Sequence, residues 1–115
     1  MKDGFRVTRV EKEIQQILAE YIQRQIIFPS GVLFSITRVE STKELRTAKV
    51  YYSLMGDESQ YERSQEIITD SMYEIQKHLN KSMHMKFVPR VTFYFDEGLE
   101  HMMRIQGLLH NIKED

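Results

Sequence analysis

Asp96, Glu97, Glu100, His101 and Arg104 fall within nine positions, directly behind the aromatic run "VTFYF". Carboxylates beside a histidine are the makings of an acid–base pair, as in a hydrolase. The same residues also suit a second, non-catalytic chemistry. Carboxylates at a helix start accept backbone N–H groups and face the positive end of the helix dipole, worth roughly 0.3–2 kcal/mol. Glu97 with His101, and Glu100 with Arg104, stand four apart, the spacing of surface pairs on a helix. Catalysis would need a nucleophile or polarising group converging from elsewhere, and the sequence offers none. A helix start is therefore preferred here over a hydrolase built on Asp96, Glu100 and His101.

Other catalytic and metal signatures are missing from the sequence as well. There are no cysteines, so disulfides and thiolate sites are excluded. His78, His84, His101 and His110 form no group of three ligands at zinc-like spacing. The five glycines, Gly4, Gly31, Gly56, Gly98 and Gly107, are isolated, so no glycine-rich phosphate loop and no nucleophile elbow are present. The seven methionines lie mostly on apolar helical spacings and read as core filler. No enzyme activity, metal or cofactor is expected.

Charge segregation is more informative. The net charge is −1, yet Asp57 to Asp70 holds five acids (Asp57, Glu58, Glu62, Glu66, Asp70) against the single base Arg63. From Ile75 to Phe95 there are Lys77, Lys81, Lys86, Arg90, His78 and His84, and no acid. A smaller excess lies between Arg38 and Lys49. Lys77 and Lys81, four apart, share a helix face, and Lys86 and Arg90 sit where the chain returns as a strand. Four cations at one helix-to-strand corner suit a phosphate backbone, with binding that falls as salt rises. Tyr51, Tyr73 and Tyr94 are of the right type to stack bases. Charge alone leaves a solvated face and a lysine-rich loop equally open.

The elements that must position these groups follow from periodicity. At 115 residues, 41% hydrophobic and 29% charged, the chain has the make-up of one ordinary globular domain, 1–115. No apolar run approaches the roughly 18 residues of a membrane span, and the N-terminus lacks the apolar stretch of a signal peptide; a cytoplasmic protein is expected. Val7, Val10, Ile14, Ile17, Leu18, Tyr21 and Ile22 make one helical stripe that runs to about Gln25 and ends before Pro29. Two strands follow, Leu33 to Val39 and Leu45 to Leu54, joined by a turn at "ESTKE". Val39 breaks the parity of Phe34 and Ile36, which predicts a bulge or a strand end. Asp57 or Ser59 then caps a long helical pattern, Tyr61 to Ser82, in which a break is expected and Asn80 is a candidate C-cap. The strand "FVPRVTFYF" puts Val91, Phe93 and Phe95 on one face, and a last helix covers Glu97 to about Asn111. The sum is an α+β domain with a small sheet covered on one face.

Three stretches carry a resemblance: "RVTRVEKEIQQILAEYIQRQI", "ITRVESTKELRTAKVYYSLMG" and "LNKSMHMKFVPRVTFYFDEGLEHMMRIQGLL". Together, in one register from about Phe5 to Ile112, they resemble ribosome-binding factor A, a bacterial small-subunit assembly family. The resemblance implies a type II K-homology (KH-like) fold, helix–strand–strand–helix–helix–strand, with an additional C-terminal helix. It also implies non-catalytic binding to the immature 30S subunit near the ends of its 16S rRNA, help in late maturation and rRNA processing, and a role in cold adaptation. A monomer released by a ribosome-associated GTPase partner belongs to the same expectation, with no membrane involved.

The chain departs from that family in three places. The family's Ala-x-Gly kink falls here on Ser71, Met72 and Tyr73, so the bend is either milder or made by Ser71 hydrogen-bonding back to the helix. The acid-Pro-Arg after the first helix is Phe28-Pro29-Ser30, and the charged tail of some members is missing. The expected RNA-binding residues are Arg6 and Arg9 at the start of the first helix, Lys43 and Arg46 at the hairpin, Ser71, Met72 and Tyr73 at the break, and the corner Lys77, Lys81, Lys86 and Arg90. Their role is phosphate neutralisation and docking by shape rather than base readout. The alternative is a protein–protein adaptor using the exposed sheet face at Thr47, Tyr51 and Ser53.

Overall fold

Val10, Ile14, Leu18 and Ile22 recur every four residues, and all four are buried. They form the inner stripe of α1 (Lys2–Gln25), with Val7, Ile17 and Tyr21 half-buried along its margins. The computed structural model describes residues 2–96. Beyond α1 it contains β1 (Val32–Ser41), β2 (Thr47–Gly56), a 3-10 turn (Glu58–Gln60), α2 (Tyr61–Asp70), α3 (Met72–Ser82) and β3 (Arg90–Phe95). This is the expected order helix–strand–strand–helix–helix–strand. The last helix expected from Glu97 to Asn111 lies outside the described residues, as do the pairs of Glu97 with His101 and Glu100 with Arg104.

The sheet order is β1-β2-β3, with β1 antiparallel and β3 parallel to the central strand. A parallel partner requires a crossover, which α2 and α3 supply. Ala48, Val50, Tyr52 and Leu54 point from β2 into the core, as their alternation predicts. Val39, Val91, Ile75, Leu79 and Met83 complete that core beneath α1. Burial pushes the Tyr52 phenol above its ordinary pKa, so it stays neutral. The other face of the sheet carries no described helix.

The parity break of β1 is a bulge. Ile36 opposes Tyr52, Arg38 opposes Tyr51, and Thr37 is the extra residue between them. Its hydroxyl lies 3.2 Å from the Tyr51 carbonyl and 3.2 Å from Asp96 Oδ2, which pins the irregularity. The bulge restores Val39 to the core face opposite Val50. Asp57 caps the 3-10 turn by accepting from the Ser59 amide at 3.1 Å.

Several sequence expectations are corrected. Leu45 does not begin β2: it sits in the turn at φ +58, where the backbone is strained but the side chain is buried in the core. Ser53, expected on the exposed face, is buried, because it is a small side chain in the central strand opposite Ser35. Asn80 does not end a helix. It lies within α3, accepts from Gln76 Nε2 at 3.0 Å, and the helix closes at Met83, whose amide donates to Leu79. β3 begins at Arg90 rather than Phe87, which leaves Phe87 in the preceding loop.

Gln76 fastens β3 to α3. Its Oε1 accepts from the Val91 amide at 2.9 Å and its Nε2 donates to the Pro89 carbonyl at 3.1 Å. The Arg90 amide between them turns the other way, to the Arg46 carbonyl at 2.9 Å. An edge strand leaves alternate backbone groups without a strand partner, and here one side chain serves two of them. Gln76→Leu keeps the bulk and removes both bonds beside buried Val91. It is expected to cost about 1–3 kcal/mol, seen in urea unfolding as a lower midpoint with an unchanged m-value.

Candidate nucleic-acid interface

Three chain segments meet at the hairpin end of the sheet: the start of α1, the turn between β1 and β2, and the loop between α3 and β3. Arg6, Arg46 and Lys86, one from each, line a groove of about 720 Å³ together with His84, Phe87 and the acid Glu44, so three fixed cations stand against one carboxylate. The turn that presents Arg46 is built on Thr42, whose Oγ1 accepts from the Arg46 and Thr47 amides at 3.2 and 3.4 Å. Met72, Tyr73, Lys77 and Arg90 line a second groove of about 530 Å³, between α3 and β3. The hydrogen bond from the Arg90 amide to the Arg46 carbonyl makes a lining residue of each groove neighbours, and the two grooves together are the basic rim.

The remaining expected residues are placed differently. Arg9 shares a shallower groove with Arg6 and Lys12 on the outer face of α1. Lys43 and Lys81 are exposed but line none of these grooves. Ser71 is half-buried, and its Oγ donates to the Ile67 carbonyl at 2.7 Å. The Ser71 amide is shared between the Ile67 and Ile68 carbonyls at 3.1 Å each. The long helix thus divides into α2 and α3 at this serine, without glycine, by the back-bonding route. Ser71 shapes the break, and Met72 and Tyr73 beyond it face the second groove; Tyr73 is 75% exposed.

Several residues of the first groove were not among the expected site residues, Phe87 and His84 among them. Phe87 is 77% exposed, with Lys86 Nζ 5.6 Å from its ring centroid. His84 lines the same wall. The available signal was an aromatic beside a lysine in an acid-free tract, masked by assigning Phe87 to the strand.

The electrostatics suit an anionic partner. Among the described residues the ion pairs shown are Arg38–Glu40 at 3.5 Å and Arg63–Glu66 at 3.2 Å, and neither engages a rim cation. The acid-rich stretch starts at Asp57, past the far end of β2. That strand's ten residues carry the chain roughly 30 Å away from Arg46. Such a separation of charge orients a near-neutral protein toward a polyanion.

Known proteins share both this sequence and this fold. Bdellovibrio bacteriovorus ribosome-binding factor A is 34% identical over 113 residues, covering 98% of this chain and 84% of the relative. The Natranaerobius thermophilus protein of the same name is 31% identical over 114 residues, covering 97% and 87%. Among known structures, a homology model of Thermus thermophilus ribosome-binding factor A, as fitted into a cryo-EM map of a complex with the 30S subunit, superimposes with a TM-score of 0.63 at 22% identity. That match covers 74% of this chain and 89% of the other. A family model, Ribosome-binding factor A, matches residues 6–109. The chain belongs to the ribosome-binding factor A family.

Proposed function

We propose that this protein binds the immature small ribosomal subunit through its rRNA, assisting late maturation of the 16S rRNA without catalysing a reaction. The observation that carries this reading is the basic rim, where Arg6, Arg46 and Lys86 converge from three separate elements on one groove. Family membership supplies the partner: the Thermus thermophilus relative is placed in a complex with the 30S subunit. Cations brought together on one groove bind phosphates and displace counterions, a contact that positions the protein without reading base edges. Binding as a monomer in the cytoplasm, with release by a GTPase partner, completes the proposal. The expectation of RNA binding by residues 1–115 as one domain belongs with it.

Co-sedimentation with small subunits, large subunits and whole ribosomes across a salt series tests the reading. Selective recovery with small subunits is expected, falling steeply as salt rises. Recovery indifferent to salt, or equal for both subunits, would overturn it.

A further inference from the structure

The face of the sheet opposite α1 and α3 carries four side chains that the rim does not use. Arg38, Tyr51 and Tyr94 lie in one row across β1, β2 and β3. The Arg38 guanidinium carbon stands 4.1 Å from the Tyr51 ring centroid. The Tyr51 and Tyr94 centroids are 5.7 Å apart with the rings tilted by 32°. Lys49 Nζ lies 5.8 Å from the Tyr94 centroid. The result is two neighbouring aromatic rings flanked by a cation on either side.

Cross-strand aromatic pairs do stabilise sheets, but these rings are not sealed in. Tyr94 is 42% exposed, whereas Tyr52, one residue from Tyr51 on the opposite face, is buried in the core. Among the described residues the carboxylates on this face are Glu40, paired with Arg38 at 3.5 Å, and Asp96, whose Oδ2 lies 3.2 Å from the Thr37 hydroxyl. Arg38, Lys49 and Arg90 outnumber them by one, which leaves the face with a small positive excess. The surface is also continuous with the rim, because Arg90 opposes Thr47 and Thr92 opposes Lys49 in the rows leading to Tyr94. The tyrosine row stands roughly 13 Å from Arg90 along the strand.

Two partly exposed aromatic rings with cations beside them match one chemistry: a planar base attached to phosphates. A duplex hides its base faces in its own stack, so only unpaired nucleotides present one. We propose that this sheet face is a second RNA contact, where Tyr51 and Tyr94 stack an unpaired base and Arg38 and Lys49 hold the adjoining phosphates. The proposal rests on the rRNA-binding reading of the rim and adds to it the single-stranded class of RNA.

The test uses the full chain and two fluorescent probes: oligoadenylate, and the same ribose-phosphate backbone without bases. The expected result is tighter binding of the base-bearing probe, by roughly tenfold for one stacked base. Tyr51→Thr with Tyr94→Thr should erase that preference while leaving the abasic probe's affinity unchanged, and Tyr51→Phe with Tyr94→Phe should keep it. In the unmodified protein, oligoadenylate should shift the ring-proton NMR signals of Tyr51 and Tyr94 upfield, a readout that needs no variant to fold. Equal affinity for the two probes, a preference that survives the threonine pair, or unmoved ring signals would each overturn the proposal. Failure of the rim reading is seen separately, as loss of small-subunit co-sedimentation by the unmodified protein.

Discussion

Arg46→Gln with Lys86→Gln is expected to flatten the salt dependence of small-subunit binding. The slope of log affinity against log salt should become shallower by about 1.4–1.8, the sum for two lost phosphate contacts. Arg46→Glu with Lys86→Glu adds repulsion and should weaken binding at least tenfold at physiological salt. These two cations come from different loops yet line one groove with Arg6, so both should meet the same stretch of backbone. Both are exposed, and surface substitutions of this kind change stability by only about 0.5 kcal/mol. The circular dichroism spectrum should not change. Arg90→Glu should share the effect, because its backbone is bonded to that of Arg46 and its side chain lines the adjoining groove. Lys43→Gln with Lys81→Gln provides the contrast, since neither lines either rim groove, and should change the slope less. A larger loss from the Lys43 and Lys81 pair would mean that the groove is not where the backbone lies.

That contrast also marks where sequence ceases to locate a site. The inner faces of α1 and β2 were legible because burial imposes a period, and Ile14, Leu18, Val50 and Tyr52 fall on it. The bulge at Thr37 was legible to within two residues, because a parity break must be absorbed somewhere. A break somewhere in Tyr61 to Ser82 could be anticipated from the length of the helical pattern, whereas its place at Ser71 came from the family resemblance, which left a milder bend open. The bond from Ser71 to Ile67, four positions back, is the route taken. The strand boundaries at Leu45 and Phe87 were not legible. Both are apolar residues beside a strand, and only tertiary packing sends Leu45 into a left-handed turn and Phe87 out to solvent. For the site, sequence could list the cations but could not rank them. Arg6 and Lys86 are eighty positions apart, and their convergence depends on α1 and the α3–β3 loop arriving at the same end of the sheet. Lys81, by contrast, is close to Lys86 in sequence but lines neither rim groove.

Gly56→Ala should be among the most damaging single-methyl changes in the described chain, for two reasons that add. Gly56 closes β2 at φ +106, a backbone conformation that costs an alanine roughly 1–3 kcal/mol. A Cβ built there would also lie 1.9 Å from the Gly31 carbonyl oxygen and 3.1 Å from its carbon. That carbonyl cannot simply turn away, because it accepts from the Asp57 amide at 3.0 Å and so ties the exit of β2 to the turn before β1. Relieving the overlap requires moving backbone, a further cost of about 1–3 kcal/mol. The expected total, about 2–6 kcal/mol, is a large part of the roughly 5–15 kcal/mol that holds a domain together. Gly31→Ala separates the two causes. Gly31 has φ +87, but its added Cβ would meet only Asp57 Cβ, at 3.6 Å, an ordinary contact. It should therefore lose the conformational part alone. Urea unfolding of both variants should give a midpoint for Gly56→Ala clearly below that of Gly31→Ala. Equal midpoints would show that the Gly31 carbonyl yields freely and that backbone conformation alone demands glycine at the end of β2.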